Sequence, residues 1–304
     1  MVAAGIAAPL LRKRAPLPPA VMQTVAFGAP LGLAVAARRS AKRDVAVCAL
    51  QMWAYLAAYK TPHDDAGTQA ARVRVNYPIV ADRILGLGEL PSTRLQRALA
   101  RSGPDGPSWR ALDRVLVWTH WSWFAIPHGS LLYILARHPG RFPRAAVMTY
   151  AVFDVGASFY WLVPTAPPWY AAGAREDGAS GEQLEVRRMM VEYGEHFWRD
   201  GWGSLYSVFG GNPLAAMPSL HFATSLMAAL LLAEAGPLPG ALGAAYAGTL
   251  GFALVYLGEH YVVDLIAGAA LTLAVRRMEP LAGPALARVG RAVGTLEGIA
   301  HQTG

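Results

Sequence analysis

The sequence predicts an all-α protein built as a polytopic membrane helical bundle. Three observations carry this reading. Of 304 residues, 54% are hydrophobic and 15% are charged, against a charged share of about 25% in soluble domains. Apolar runs of bilayer length recur along the chain. The charges between them are short Arg-rich clusters, such as Arg38-Arg39-Ser40-Ala41-Lys42-Arg43 and Arg276-Arg277, which is how the positive-inside rule marks cytoplasmic loops. The formal charge of +7 therefore reports topology and attraction to anionic headgroups, and no nucleic-acid partner is expected.

Taken in order, residues 1–17 read as a disordered or interfacial start. Their apolar stretch precedes Arg12-Lys13-Arg14, the reverse of a secretory signal, so no cleaved signal peptide is expected. Pro19 to Ala37 is the first hydrophobic helix, with Pro30 as a kink. Val45 to Tyr59 is the second. It holds the single cysteine, Cys48, which reads as a packing residue, since one cysteine forms no internal disulfide. Tyr77 to Ala100 is too charged to span and reads as amphipathic helices at the interface. Ser102-Gly103-Pro104-Asp105-Gly106-Pro107 is a loop on its turn residues. Leu112 to Leu135 reads as one span, and Ala145 to Val163 as the return. A polar segment then runs to about Gly211, with a helical piece from Glu182 to Trp198. Met217–Ala235, Leu238–Gly258 and His260–Val275 close the core, and Glu279–Gly304 reads as a surface helix with a frayed end. The chain thus divides into 1–110, a catalytic membrane core at 111–277, and a tail at 278–304. The basic clusters place the C-terminus in the cytoplasm and the start of the last span outside. The first helix is a misfit, because its crossing would leave Arg12 to Arg14 outside.

Two stretches stand out chemically. Asn212-Pro213-Leu214-Ala215-Ala216-Met217-Pro218-Ser219-Leu220-His221 opens one apolar run, and Gly258-Glu259-His260-Tyr261-Val262-Val263-Asp264 opens another. Positions i and i+4 share a helix face, so Asp264 can accept a hydrogen bond from one ring nitrogen of His260 and leave the other free. Ionisable groups in membrane-length runs are costly and mark functional sites; the bland alternative is polar residues satisfying each other inside a bundle. Two histidines and an aspartate suit phosphoryl transfer through a phosphohistidine. His260 would be the nucleophile, Asp264 would fix its tautomer, and His221 would serve as general acid, then general base. Ser219 and the amides of Leu220 and His221 open a helix, where anionic oxygens bind well. Nothing in this set calls for a metal or a cofactor.

These residues resemble the type 2 phosphatidic acid phosphatase (PAP2) superfamily, whose members carry Pro-Ser-Gly-His and His-x-x-x-Asp signatures. Leu220 in place of the Gly, Ala166-Pro167-Pro168-Trp169 and the His260-Tyr261 pair resemble the branch containing inositol phosphorylceramide synthases and their bacterial relatives. The resemblance spans roughly Leu112 to Val275. It implies a six-transmembrane core with its site at the extracytoplasmic end. A weaker resemblance to the branch covers Ala81-Asp82-Arg83 to Leu95-Gln96. Two phosphate-binding arginines of the phosphatase branch are missing: no Arg-Pro lies near Pro167-Pro168, and Ala253 and Leu254 stand where Ser-Arg would be. Arg187 and Arg188 are the substitute cations in view, with a solvated helix face paired to Glu192 and Glu195 as the other reading. His120, His128 and Tyr261 are candidate substrate contacts, against bundle hydrogen bonding for the two histidines. Trp118, Trp121 and Trp123 read as an interface belt or packing. The function so implied is headgroup transfer on membrane lipids, with phospholipid or polyprenyl phosphate as substrate, in the plasma membrane. A phosphatase using water at the same site and a non-catalytic scaffold are the alternatives.

Overall fold

A computed structural model of the chain describes residues 1–11, 14, 17–60, 72–103, 106–176, 185–209 and 211–302. Among the described residues, the named elements are helices apart from one small hairpin. Helices α1 (Val2–Leu11), α2 (Pro19–Ala36) and α3 (Ala41–Lys60) come first, then α4 (Asn76–Leu85) and α5 (Pro91–Leu99). Strands β1 (Arg101–Gly103) and β2 (Gly106–Ser108) pair antiparallel. The remaining helices are α6 (Ala111–Trp121), α7 (Ala125–Arg137), α8 (Phe142–Leu162), α9 (Pro168–Glu176), α10 (Met189–Trp198), α11 (Gly201–Phe209), α12 (Leu220–Ala235), α13 (Pro237–Tyr256) and α14 (Val262–Gln302).

By length and composition, α2, α13 and the helical stretch 139–162 ending in α8 can each cross a membrane. The largest apolar cluster joins Met52 and Tyr55 of α3, Ile134 of α7, Phe142 and Phe153 of α8, and Met227 of α12. A second joins Val117 of α6, Met189 and Tyr193 of α10, and Tyr256 of α13. Helices α12 and α13 pack along their length because small residues let them approach. A Cβ on Gly240 would come within 2.6 Å of the Ala233 Cα, and one on Gly243 within 2.8 Å of the Ala229 Cα. At the end of the bundle away from His221, Arg276 bonds Glu234 at 2.7 Å, and Arg144 bonds Glu234 and Glu279.

Several expectations are corrected. Residues 2–11 form a helix packed on α2, with the Trp53 indole donating to the Gly5 carbonyl at 3.2 Å. Leu112–Leu135 is broken in two by the turn at Ser122–Phe124, where Trp123 N–H and Ala125 N–H bond the carbonyls of His120 and Ser122. The expected loop at 102–107 belongs to the β1–β2 hairpin, with 104 and 105 outside the described residues. The piece placed at Glu182–Trp198 is helical only from Met189, so Arg187 precedes the helix and Arg188 is its N-cap; residues 182–184 lie outside the described residues. No break separates the last span from the tail, because α14 runs unbroken for 41 residues through Pro280 and Pro284. Near its far end Glu297 takes Arg39 at 2.8 Å and Arg43 at 2.7 Å, tying the tail to the α2–α3 connection.

Candidate active site

The site forms where three connections meet. Thr165 is the central rung between Arg74 and Ala215, each paired parallel to it. Thr165 N–H bonds the Leu214 carbonyl at 2.9 Å, and Arg74 N–H bonds that of Pro164 at 2.8 Å. The Tyr160 hydroxyl donates to the Pro218 carbonyl at 2.8 Å. These bonds hold the 164–169 and 212–219 stretches side by side. Ser219 then caps α12, its hydroxyl accepting Phe222 N–H at 3.3 Å while its own N–H bonds the Asp264 carbonyl at 3.0 Å.

His221, in the first turn of α12, meets His260 across this junction. Their Nδ1 and Nε2 lie 3.2 Å apart. The other ring nitrogen of His260, Nδ1, lies 3.2 Å from Asp264 Oδ2. The contact at spacing i,i+4 is therefore made, although His260 is not helical. It sits in the turn before α14, with its N–H on the Leu254 carbonyl at 3.0 Å. Asp264, in the first turn of α14, also accepts Tyr261 N–H at 2.9 Å and is fully enclosed. Gly258 makes this turn possible. Its φ is +78°, and a Cβ there would stand 2.5 Å from the Arg187 carbonyl. With Nδ1–H donated to Asp264, the lone pair of His260 Nε2 faces His221. This is a relay of carboxylate, imidazole and imidazole.

The break between α6 and α7 delivers two more rings. His120 stacks on His221 with centroids 5.1 Å apart and planes at 26°, and Trp123 lies 4.2 Å from His221. Both nitrogens of His120 are buried, with no hydrogen-bond partner among the described residues.

The other predicted residues divide. Arg188 reaches the site's edge, its Nε 3.1 Å from Oε1 of Glu259, the neighbour of His260. Its guanidinium lies 3.5 Å over the Trp169 ring, a cation–π contact that gives the Ala-Pro-Pro-Trp stretch a role. Arg187 turns to Glu192, with Nε 3.1 Å from Oε2. Leu220 is buried against α8, where Gly156 leaves it room; a Cβ on Gly156 would stand 2.3 Å from Leu220 Cδ2. The Tyr261 side chain is packed with Ile79, Leu90, Ala171 and Val186. His128 bonds the Phe124 carbonyl at 2.8 Å and packs on Phe153 inside the bundle. A cleft of about 640 Å³ lies beside Arg188, bounded by Gln96, Arg97, Trp169, Glu185 and Arg187 among others.

Sequence reasoning missed Glu259, Trp169, Asp82 and Gln96. Glu259 and Trp169 stand inside quoted motifs, so adjacency was the available signal. Asp82 and Gln96 act from a distant segment that the sequence marked only through the weaker resemblance at Ala81-Asp82-Arg83 to Leu95-Gln96.

A helical bundle holding a buried histidine–histidine–aspartate relay at one end is the class that this fold and site define. The PAP2 superfamily model matches residues 109–278, more than half of the chain, and the chain belongs to that superfamily. It is similar to the inositol phosphorylceramide synthase of Candida albicans, 29% identical over 168 residues, covering 51% of this chain and 34% of that protein. The catalytic subunits of inositol phosphorylceramide synthase from Schizosaccharomyces pombe and Saccharomyces cerevisiae are each 29% identical, over 148 and 121 residues. The matches cover 47% and 38% of this chain. The chain spans about a third of the length of these relatives, 34%, 33% and 28% respectively. No solved structure matches it.

Proposed function

We propose that the protein is an integral-membrane phosphotransferase that moves a phosphate-bearing headgroup from one lipid to another acceptor through a phosphohistidine on His260. The observation that carries this is the relay, in which Asp264 holds His260 Nδ1 and His221 faces His260 Nε2, both at 3.2 Å. The Nε2 lone pair attacks phosphorus, and the bond from phosphorus to the donor's diacylglycerol oxygen breaks. His221, charged at that moment, gives that oxygen a proton. In the second half His221 takes the proton of the acceptor hydroxyl, whose oxygen attacks phosphorus as the P–N bond breaks. Negative charge spread over the phosphoryl oxygens needs donors, and His120, Arg188 and the first amides of α12 are the groups at hand.

The donor we favour is a phosphodiester such as phosphatidylinositol. Arg188 is paired with Glu259, and both usual arginines are missing, with no Arg-Pro near Pro167-Pro168 and Ala253-Leu254 where Ser-Arg would be, which suits one negative charge better than the two of a monoester. The names of the relatives point the same way. The cleft beside Arg188, lined by both charges and an amide, suits a hydroxyl-rich headgroup.

In the membrane we read a core of six crossings, α3, the broken pair α6–α7, α8, α12, α13 and the first half of α14, with α2, itself long and apolar enough to cross, ahead of them. Their directions alternate, and the Arg38–Arg43, Arg141–Arg144 and Arg276–Arg277 clusters fall at the same end. The relay then lies at the extracytoplasmic end, and the C-terminus is cytoplasmic. Helix α1, ten residues long, is too short to span.

Detergent-purified protein given phosphatidylinositol, phosphatidic acid or a polyprenyl pyrophosphate, with total lipid extract as acceptor, tests the function. Diacylglycerol together with a new phosphoinositol-bearing lipid, both absent from His260→Ala, is the expected product pair. Free phosphate from the other two substrates with no transfer product would make the protein a phosphatase and overturn the reading.

A further inference from the structure

The loop that carries His260 is held from outside the region matched to the family. Asp82, on α4, sends both carboxylate oxygens to the start of α14: Oδ2 accepts Val262 N–H at 3.0 Å and Oδ1 accepts Val263 N–H at 2.9 Å. Its carboxylate is fully enclosed. Gln96, on α5, grips the other side of the loop. Its Nε2 donates to the carbonyls of Tyr256 and Arg187, and its Oε1 accepts Arg187 N–H, each at 2.9 Å. The five residues between Tyr256 and Val262, which include His260, are thus pinned at both ends by one helical pair.

The opening N–H groups of a helix seek acceptors, and a carboxylate in the first turn can supply them. Asp264 is such a carboxylate, and its Oδ1 has no hydrogen-bond partner among the described residues. Without Asp82, the amides of Val262 and Val263 would compete with His260 for Asp264. We propose that Asp82 is a positioning residue for the reaction: by satisfying the first amides of α14 it keeps Asp264 committed to His260 Nδ1, and the α4–α5 pair is an integral brace of the active site. This rests on the reading of His260 as nucleophile.

The test uses the full chain in detergent with phosphatidylinositol as donor and total lipid extract as acceptor. Asp82→Asn preserves shape and removes one of the two acceptors. It should lower kcat about 100-fold with KM within about twofold, the signature of a misplaced reacting group. In the Asp264→Asn background, followed as single turnovers, the same substitution should change the rate less than about threefold, because the two residues act as a unit. Wild-type kcat in folded Asp82→Asn would overturn the proposal. So would an equal loss in both backgrounds, which would mark a general structural effect. If Asp82→Asn does not yield folded protein, Val262→Pro removes one of the two bonds from the other side, at a first-turn position that accepts proline. A kcat loss there supports the brace, and wild-type kcat there overturns it. Turnover in His260→Ala would sink the nucleophile reading itself. A silent His260→Ala beside a fully active Asp82→Asn would sink the brace alone.

Discussion

At the residue scale, the site is a chain of dependencies with unequal consequences. His260→Ala should abolish turnover, and His221→Ala should leave a trace, both read as product formed by purified protein. Asp264→Asn should slow turnover by roughly 10⁴-fold, the scale seen when an imidazole loses the carboxylate that fixes its tautomer. Asp82 adds a pH signature. Burial pushes its carboxyl from 3.8 up to about 6, opposed by the N–H groups of Val263 and Val262 and assisted by the charge of Asp264. A carboxyl with a folded pKa above its unfolded value holds its proton more tightly in the fold. Its contribution to stability is therefore present at low pH and lost as the pH rises from about 4 through about 6. Thermal unfolding of the wild type measured against Asp82→Asn should show the wild type gaining relative stability as the pH falls through this window. A difference that does not vary with pH would contradict the assignment. The His260–Asp264 contact was legible in the sequence because its spacing, i,i+4 after a turn, is local, whereas His221, 39 residues away, was singled out by its own Pro-Ser-x-His stretch. Asp82 was not, because a buried carboxylate 180 residues from the amides it binds leaves no local pattern.

At the element scale, the substitution of Leu220 in the Pro-Ser-x-His signature is matched by a gap in the facing helix. Gly156 on α8 accepts the leucine that a larger residue would exclude. Gly156→Ala should therefore cost about 1–3 kcal/mol, the usual range for overpacking. Adding Leu220→Ala should recover part of that loss, as measured by thermal unfolding in detergent. Equal instability of the single and double variants would separate the two positions. Apolar runs located most helices but missed the break between α6 and α7. Trp118 to Trp123 is apolar enough to continue a span, and the interruption serves the site, bringing His120 and Trp123 against His221. Arg187 and Arg188 show the converse. Adjacent in sequence, they part in the structure, one to Glu192 and one to Glu259, because the segment is not helical before α10.

At the scale of the whole molecule, the helices carry the Arg144 and Arg276 ion pairs to one end and the relay to the other. The bundle architecture was legible from hydropathy and charge clusters. The reach of the last helix was not, since Arg276-Arg277 marked the end of the span and Glu279–Gly304 read as a separate surface helix, whereas one helix runs on to Gln302 and Glu297 anchors it to Arg39 and Arg43. The proposed orientation predicts that, with Cys48 replaced, Asp200→Cys labels with a membrane-impermeant thiol reagent on intact cells and Gln302→Cys labels only after lysis. The opposite pattern would invert the topology. It would also move the relay to the cytoplasmic face without altering its chemistry.

The central claim is the covalent step on His260. Purified protein would be mixed with phosphatidylinositol and no acceptor, quenched under alkaline conditions that preserve phosphoramidates, digested and mapped by mass spectrometry. A phosphoinositol adduct on the peptide carrying His260, absent from His260→Ala and discharged when acceptor lipid is added, is the predicted result. Turnover that proceeds without any adduct, or that survives in His260→Ala, would contradict it.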